Sequence, residues 1–199
     1  MKKLLIATNN LGKIAEIRAI LSNLSIELIA PIDLSLDLTI EEDGKTYYEN
    51  ALKKAIAYYQ ESGLPTLADD SGLEVDALNG DPGIRSRRYS PDTQATDMDR
   101  CTYLVSQLKK FPRPWKATFH CEIVLLTSPN LHIRSHGICS GQIIPEPRGE
   151  NGFGYDPIFL LDEYPVTMAE LPDELKNQFS HRAQALQAAL TELECFAKE

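Results

Sequence analysis

One stretch combines an apolar segment with two aspartates, Leu64-Pro65-Thr66-Leu67-Ala68-Asp69-Asp70-Ser71-Gly72-Leu73. Residues 64–68 are a short apolar segment that predicts a buried strand, and two aspartates follow it directly. Carboxylates at the carboxyl end of a strand in an α/β sheet open into the usual ligand crevice. The Ser-Gly pair is also typical of an ordinary Asp-rich turn, so this motif alone leaves both interpretations open.

Apolar periodicity on both sides of this stretch predicts an alternation of strands and helices. Strands are predicted at residues 3–7, 26–30, 64–68, 117–127 and 131–144, and helices at residues 12–22, 46–61, 94–110 and 181–196. The Ser128-Pro129-Asn130 turn predicts that the two long strands form an antiparallel hairpin. Thr167 and Glu170 have the spacing of a capping box, which predicts that a short helix begins there. The chain is therefore of the mixed α/β class.

Each of the four predicted helices has apolar residues on one face, and two of them illustrate the pattern. In the helix at 46–61 the predicted inward residues are Tyr48, Ala51, Leu52, Ala55, Ile56 and Tyr59, and the other face carries Glu49, Asn50, Lys53 and Lys54. In the helix at 94–110 the predicted inward residues are Met98, Cys101, Leu104, Val105 and Leu108. Both patterns are typical of helices that pack one side against a core.

Length and composition favour a globular protein that buries a core. The 199 residues, of which 43% are hydrophobic, suit one domain over residues 1–199, or one domain with two lobes. No apolar run approaches the roughly 18 residues that a membrane span needs. The apolar run that follows Lys3 is too short for the core of a signal peptide. We therefore expect a cytoplasmic protein with no membrane partner.

The net charge limits the class of ligand, and the spacing of the cysteines predicts their redox state. A formal net charge of −9 argues against binding to DNA or RNA polymers, which need a basic surface. An acidic chain can bind phosphates only where Lys and Arg gather locally and a divalent cation screens the ligand. The four cysteines, Cys101, Cys121, Cys139 and Cys195, form no C-x-x-C pair, so we expect them to be reduced and mostly buried.

A candidate phosphate loop lies between the first predicted strand and the first predicted helix. It consists of Thr8, Asn9, Asn10, Leu11, Gly12 and Lys13. A helix N-terminus favours phosphates through its N–H groups and dipole, a glycine allows close approach, and a lysine adds a point charge. Asn is also a common helix N-cap that needs no ligand, and the spacing is not that of a Walker A loop.

Acidic residues supply a candidate cation site. Glu41, Glu42 and Asp43 are adjacent, and by themselves they are typical of a solvated loop. Asp69 and Asp70 repel each other unless a cation is near, and Mg²⁺ typically takes one or two carboxylates together with substrate phosphates and water. One aspartate could hold the metal or deprotonate an attacking water.

Two later segments could hold a nucleobase. Gly152-Phe153-Gly154-Tyr155-Asp156-Pro157 combines aromatic rings that could stack on a base with a carboxylate that could accept from base N–H groups. A tight loop with core-packed aromatics is the alternative. His181 and Arg182 place cations at a helix N-terminus, against the dipole, which suggests that their donors are needed there. Together with Lys176 they could bind a base carbonyl or a phosphate.

Taken together, the motifs resemble the inosine triphosphate pyrophosphatase family, in order and along nearly the whole chain. The matching segments are Thr8-Asn9-Asn10-x-x-Lys13, Glu42-Asp43-Gly44 with Glu49-Asn50-Ala51 and Lys53, Ala68-Asp69-Asp70-Ser71-Gly72-Leu73, Gly80-x-Pro82-Gly83 with Ser86 and Arg87, Phe153-Gly154-Tyr155-Asp156-Pro157, and Ser180-His181-Arg182. Each motif alone is weak, whereas six at the family's spacings are specific.

The resemblance implies cleavage between the α- and β-phosphates of dITP, ITP or XTP, with release of a nucleoside monophosphate and pyrophosphate. Such an enzyme removes deaminated purines from the nucleotide pool. The resemblance also implies an elongated mixed sheet with flanking helices, two lobes around a central substrate cleft, a Mg²⁺ cofactor and a homodimer.

The resemblance further implies a role for each matching residue. Thr8 to Lys13 would hold the phosphates with Lys53. Asp70 would bind Mg²⁺ and act as general base, supported by Asp69, with Glu42 or Glu41 completing the metal site. Ser71 would touch the substrate. The base would be held by Phe153, Gly154, Tyr155, Asp156, Lys176, His181 and Arg182.

Two other functions fit parts of the pattern. A nucleotide-binding module without turnover could use the same phosphate loop, but paired acids would then only repel its ligand. A Maf-like pyrophosphatase that acts on modified pyrimidines could use a similar site. Hypoxanthine and xanthine carry an acceptor at O6 where adenine carries a donor. A cation such as Arg182 or Lys176 at that position would therefore bind the first two bases and leave the donor of adenine unpaired.

Overall fold

A computed structural model describes residues 1–198 of the chain. Its elements are β1 (Lys2–Ile6), α1 (Leu11–Ile20), β2 (Ile26–Ile29), α2 (Tyr47–Ser62), β3 (Thr66–Val75), β4 (Pro82–Gly83), α3 (Asp97–Leu108), β5 (Trp115–Ser128), β6 (Leu131–Ile143), β7 (Phe159–Leu161), α4 (Asp173–Phe179), α5 (His181–Ala188) and α6 (Leu190–Lys198). Short 3₁₀ helices interrupt the loops. The predicted mixed α/β class is confirmed.

The seven strands form one mixed sheet in the order β2-β1-β3-β5-β6-β7, with β4 paired to β3. The β1 strand runs parallel to β2 and β3, whereas β4 and β7 run antiparallel to their partners. Only two residues join β5 to β6, a connection that neighbouring antiparallel strands can make and parallel strands cannot. The predicted hairpin is therefore present.

The described chain divides into two compact units, and neither is continuous in sequence. Unit 1 contains Met1–Asp70, Cys121–Gly137 and His181–Glu199, of which the last residue lies outside the described range, and unit 2 contains Ser71–His120 and Ile138–Ser180. Three strands, β3, β5 and β6, pass from one unit into the other along the chain. None of the described helices is both long enough and apolar enough to cross a bilayer.

Unit 1 has an apolar core on each face of its strands. On one face, Leu4, Ile6 and Leu67 pack with Ile14 and Ile17 of α1 and with residues of α5 and α6. The other face buries different side chains of the same strands, Leu5, Ala7 and Ala68, against Ala51, Ala55 and Tyr58 of α2. Successive side chains of a strand point to opposite faces, so each strand contributes to both cores.

The third core lies within unit 2. It joins Leu73 and Val75 of β3 to Leu104 and Leu108 of α3 and to the aromatic pair Phe119 and Phe159, whose ring centroids are 4.5 Å apart. The burial of Leu73 and Val75 explains why β3 continues beyond the aspartates. Asp69, Asp70, Ser71 and Gly72 lie inside a strand of ten residues. The prediction of a strand that stops at residue 68 was therefore wrong, and the alternative interpretation of the aspartates as a turn is excluded.

Helix α2 is confirmed, but its buried face differs from the predicted one. Thr46 caps its N-terminus and Gly63, at φ +67°, ends it. The buried residues are Tyr47, Asn50, Ala51, Lys54, Ala55 and Tyr58, whereas Ile56 is 39% exposed. The predicted apolar stripe is confirmed for Ala51 and Ala55, which are buried, and for Tyr48, Leu52 and Tyr59, which are partly buried against the same core. The prediction was wrong for Asn50 and Lys54, which were placed on the outer face but turn inward.

The remaining differences concern element ends. Met98 was predicted inward but is 48% exposed, because α3 begins only at Asp97 and buries its face from Cys101 onward. The predicted helix at 181–196 is two helices that are separated at Ala189.

Two other predictions are confirmed. The capping box at Thr167 and Glu170 is present and opens a 3₁₀ helix. The expectation for the cysteines is confirmed, since all four are free and only Cys195 is exposed.

Candidate active site

Asp69 and Asp70 point to opposite faces of β3. Asp69 shares the face of Leu67, which packs with α1 and α5, and Asp70 shares the face of Ala68, which packs with α2. Both carboxylates lie just past the point where the pairing of β1 with β3 ends, at Leu67. The repulsion expected between adjacent aspartates is therefore reduced by the alternation of the strand, and each carboxylate has its own set of partners.

Asp69 is fully buried among cations. Its Oδ2 lies 2.9 Å from Nζ of Lys13 and accepts from Nε and Nη2 of Arg182 at 3.2 and 3.0 Å. Burial alone would raise the pKa of Asp69, but Lys13, Arg182 and Lys54 outweigh it and hold that pKa well below its usual range. These cations thus favour the ionised form of Asp69. Its Oδ1 is buried and has no hydrogen-bond partner among the described residues.

Arg182 connects three elements around this carboxylate. It lies in the first turn of α5, its side chain is fully buried, and it also forms an ion pair with Glu16 of α1. Burial alone would lower the pKa of Arg182, but Asp69 and Glu16 outweigh it, so the guanidinium stays charged. The structure therefore places the cation that was predicted to read a base carbonyl between two carboxylates of unit 1.

Asp70 has weaker compensation than its neighbour. Its Oδ2 accepts from Nδ2 of Asn50 at 3.1 Å, and its Oδ1 accepts from Nζ of Lys54 at 3.2 Å. Burial raises the pKa of Asp70 above its usual value, and Lys54 and Lys13 offset this only in part, while Glu42 adds to it. Asp70 can therefore take up a proton much more readily than Asp69 can.

Lys54 connects Asp70 to the acidic loop. Its Nζ also donates to Oε1 of Glu42 at 2.9 Å, so two carboxylates reach one cation. Burial alone would lower the pKa of Lys54, but Asp70, Asp69 and Glu42 outweigh it and the pKa is raised. Glu41 is exposed, and the structure brings only Glu42 of the two candidate glutamates to this position.

Lys53 lies elsewhere. Its Nζ forms an ion pair with Asp43 at 2.6 Å, and its side chain is 43% exposed. Of the two adjacent lysines, the structure brings Lys54 rather than Lys53 to Asp70. The sequence interpretation missed Lys54 and Asn50 as site residues. The available signal was their spacing, since positions 47, 50, 51, 54, 55 and 58 form a helical stripe that contains both.

Asn50 also connects the acidic loop to the strand. Its Oδ1 accepts from the backbone N–H of Gly44 at 2.8 Å while its Nδ2 donates to Asp70. A Cβ on Gly44 would lie 2.6 Å from that Oδ1, so a side chain at position 44 would displace the amide. The glycine after Glu42 and Asp43 therefore allows the loop to approach α2 closely.

The candidate phosphate loop begins at the end of β1. Asn10 is the N-cap of α1, and its Oδ1 accepts from the backbone N–H of Lys13 at 3.2 Å. Oγ1 of Thr8 accepts from the backbone N–H of Asn10, also at 3.2 Å. Asn9 and Leu11 are exposed, and Gly12 lies in the first turn of the helix. The helix cap and the candidate phosphate loop are thus one and the same structure.

Unit 2 holds the second group of predicted residues. Asp156 Oδ2 accepts from Nζ of Lys176 at 2.7 Å and from the backbone N–H of Phe153 at 2.9 Å. Nζ of Lys176 also lies 4.7 Å from the centre of the Phe153 ring. Tyr155 is buried, and its hydroxyl donates to the carbonyl of Ser86 at 2.8 Å. We call residues 152–156 the glycine loop.

The two remaining candidates flank these groups. Ser71 follows Asp70 on β3 and is partly exposed, and His181 is buried at the start of α5, directly before Arg182. Within residues 1–198, no group of three or more His, Cys, Asp or Glu side chains is arranged to hold a metal ion. A cation at Asp70 and Glu42 would therefore depend on ligands that a substrate or water supplies.

The chemistry of unit 1 follows from the contrast between the two aspartates. Two carboxyl groups whose environments push their pKa values apart are typical of acid–base sites. Here one carboxylate is held ionised by lysine and arginine, and the other can exchange a proton beside a buried lysine. The fold and the site together define a class of α/β proteins with a buried cluster of cations and carboxylates in which one carboxyl group can exchange a proton.

Comparison with known proteins specifies that class. Residues 4–192 match the model of the Ham1 family. A dITP/XTP pyrophosphatase of Geobacter sulfurreducens is 47% identical over 187 residues, which are 94% of each chain. One of Shigella flexneri is 44% identical over 97% of this chain and 98% of its own. The structure of a HAM1 protein from Coxiella burnetii matches with a TM-score of 0.87 at 40% identity, over 100% of both chains.

The chain belongs to the Ham1 family. The match covers nearly all described residues of both units, and the relatives above are named dITP/XTP pyrophosphatases, the activity that the resemblance implies. The resemblance identified from the six motifs is therefore confirmed.

Proposed function

We propose that this protein hydrolyses the deaminated purine nucleoside triphosphates dITP, ITP and XTP to the nucleoside monophosphate and pyrophosphate. One observation carries the proposal. Asp70, a buried carboxyl of raised pKa, lies next to Asp69, whose carboxylate is bound by Lys13 and Arg182. Relatives that align over 94% or more of this chain are named dITP/XTP pyrophosphatases.

Asp70 is the residue that we propose accepts the proton of the attacking water. The water oxygen forms a bond to the α-phosphorus, the bond from that phosphorus to the bridging oxygen of the β-phosphate breaks, and pyrophosphate leaves. A positioned general base contributes roughly 10² to 10⁴-fold to such a rate. Asn50 orients the carboxyl through Oδ2, and Asp69 keeps Lys13 and Arg182 in place.

The triphosphate needs cations, and unit 1 supplies them. Lys13 at the N-terminus of α1 and Lys54 on α2 are the buried or nearly buried lysines of this unit that contact the aspartates. The N-terminal N–H groups of α1 favour an anion as well. Lys53 keeps a proposed role at the phosphates as an exposed lysine on the same helix.

A Mg²⁺ ion is part of the proposal. Asp70 and Glu42 would hold it, and their geometry fits, because both carboxylates already reach one ammonium group. Two carboxylates with substrate phosphates and water form the usual Mg²⁺ environment. When bound, the ion would neutralise phosphate charge and make the phosphorus more electrophilic. A homodimer, as the family resemblance implies, also belongs to the proposal.

For the base, unit 2 offers Lys176 next to Asp156 and Phe153. The ammonium of Lys176 can donate to the O6 acceptor of hypoxanthine or xanthine. Adenine carries an amino group at that position, so its N–H donors would face the N–H donors of Lys176. Asp156 can accept from a base N–H, and Phe153 provides a ring for stacking. Arg182, by contrast, is proposed to act on Asp69, because its guanidinium binds two carboxylates.

The test is a substrate panel with and without Mg²⁺. We expect pyrophosphate release from dITP and XTP with Mg²⁺, much faster than from dATP, whose amino group faces Lys176. Guanine also has an O6 acceptor, so the slower release that the family resemblance implies for dGTP must depend on its 2-amino group. We expect Asp70→Asn to abolish release while circular dichroism shows an intact fold. No release from any triphosphate would overturn the enzyme proposal in favour of a binding module. A preference for a modified pyrimidine would overturn the purine specificity, and near-normal turnover by Asp70→Asn would overturn the role of the base.

A further inference from the structure

Helix α3 of unit 2 binds both polar backbone groups of one residue in the glycine loop. The backbone N–H of Gly154 donates to Oδ2 of Asp97 at 2.7 Å, and the carbonyl of Gly154 accepts from Sγ of Cys101 at 3.3 Å. Asp97 and Cys101 are four positions apart, so they lie on the same face of the helix, one turn from each other. The orientation of the Gly154 backbone is therefore set from α3.

Gly154 has a backbone conformation that favours glycine, and the two contacts with α3 hold it there. Its φ of +66° lies in the left-handed region, and a Cβ there would have no atom within 4 Å. The glycine is therefore required by the backbone conformation and not by crowding. Gly154 follows Phe153, whose own N–H binds Asp156. Holding the Gly154 N–H in place consequently restricts the direction in which Phe153 leaves the loop.

Asp97 is not needed to cap its own helix. The capping box of α3 consists of Thr96 and Asp99: Oγ1 of Thr96 accepts from the Asp99 N–H at 3.2 Å, and Oδ2 of Asp99 accepts from the Thr96 N–H at 2.9 Å. Asp97 uses its Oδ1 for an ion pair with Arg100 and its Oδ2 for Gly154. Its two contacts orient the carboxylate toward the loop, and the cap is made without it.

We propose that Asp97 is a positioning residue for the nucleobase. It acts through Gly154 and sets the place of Phe153 and of Asp156 with Lys176. The inference rests on the proposed function in one respect, the role of the glycine loop in holding the base. A hydrogen-bond acceptor at position 97 therefore strengthens binding of the nucleobase and leaves the rate of the reaction at the phosphates unchanged.

The experiment compares Asp97→Ala, Asp97→Asn and Asp99→Ala. Asp97→Ala removes the acceptor, and we expect the KM for dITP to rise roughly threefold to tenfold, the effect of one lost hydrogen bond, with kcat unchanged. Asp97→Asn keeps an oxygen that can accept, and we expect its KM to stay within about twofold of wild type. Asp99→Ala breaks the capping box, so we expect lower thermal stability at normal KM.

Binding to dIMP and to inorganic tripolyphosphate separates positioning from general damage. For Asp97→Ala, calorimetry is expected to show weaker binding of dIMP and unchanged binding of tripolyphosphate, which carries no base. Equal losses for both ligands, a fall in kcat alone, or the same change in Asp99→Ala would each overturn the inference. If the wild type hydrolyses no triphosphate, the proposed function fails, and the dIMP comparison still decides the role of Asp97.

Discussion

Asp69 and Asp70 differ in what surrounds them and not in chemistry. Three cationic side chains lower the pKa of Asp69, and burial raises the pKa of Asp70 despite Lys54. Because a strand alternates its side chains, one peptide bond is enough to separate two such environments. At the residue scale, the site therefore consists of a carboxylate of lowered pKa beside a carboxyl group of raised pKa.

Lys54→Met and Lys53→Met form a matched pair that tests which lysine serves Asp70. Methionine keeps much of the side-chain length and removes the charge. We expect kcat/KM for dITP to fall on the order of 10²-fold in Lys54→Met, as for a removed charge-stabilising donor, because Asp70 and Glu42 lose their shared cation.

In Lys53→Met the expected loss is much smaller, since that side chain is exposed and pairs with Asp43. Steady-state kinetics with saturating Mg²⁺ measures both variants. A larger loss for Lys53→Met than for Lys54→Met would contradict the assignment and favour Lys53 as the lysine that meets the phosphates.

At the element scale, the start of α5 depends on a close approach to β6. A Cβ on Gly137 would lie 2.2 Å from the carbonyl oxygen of His181 and 2.3 Å from the backbone nitrogen of Ala185. Nearby, Oγ of Ser135 donates to the carbonyl of Ala185 at 2.8 Å. The helix that carries Arg182 to Asp69 is thus seated directly on the backbone of the strand.

Gly137→Ala is expected to destabilise the protein by roughly 1–3 kcal/mol, the usual cost of overpacking, and to reduce kcat/KM further than stability alone explains. The reason is that the added methyl group pushes on the backbone of α5 and moves Arg182 away from Asp69. Thermal unfolding and dITP turnover are measured together.

Gly63→Ala is the matched control for that variant. Gly63 ends α2 at φ +67°, and a Cβ there meets no atom within 4 Å. Its replacement therefore introduces backbone strain without a clash, costing about 1–2 kcal/mol. We expect the control to lose stability and to keep its activity. Equal activity in the two variants would show that α5 adapts to the methyl group without moving Arg182.

At the scale of the whole molecule, the opposite shifts of Asp69 and Asp70 predict how stability depends on pH. The folded pKa of Asp69 lies below its ordinary value of 3.8, so its contribution is present above that pH and is lost as the pH falls. By pH 3 the unfolded chain gains about 1 kcal/mol from protonating this carboxyl. Asp70 has the opposite sign, because its raised pKa favours the folded state in acid.

Urea unfolding at pH 7 and pH 3, with a chelator present, tests this balance. We expect the free energy of unfolding of the wild type to decrease toward pH 3, to decrease less in Asp69→Asn, and to decrease more in Asp70→Asn. The same pH dependence in Asp69→Asn as in the wild type would show that other carboxylates account for the acid sensitivity.

The sequence by itself determined the family, the alternation of strands and helices, and the position of the central aspartates in the chain. These follow from local order and spacing: an amphipathic period, a capping box, and motifs at characteristic distances. The different roles of Asp69 and Asp70 are implied by the family resemblance, and they stay predictions.

Only the tertiary structure decided that β3 continues through the aspartates, that Asp69 and Asp70 face opposite sides, and that Lys54 rather than Lys53 meets Asp70. The strand continues because Leu73 and Val75 find a core in unit 2 and because β4 pairs with it. The face that α2 buries is set by a polar contact with a residue 16 positions away. The length of β3 and the buried face of α2 depend on contacts with residues that are distant in the chain. A local pattern of apolar residues therefore does not predict them.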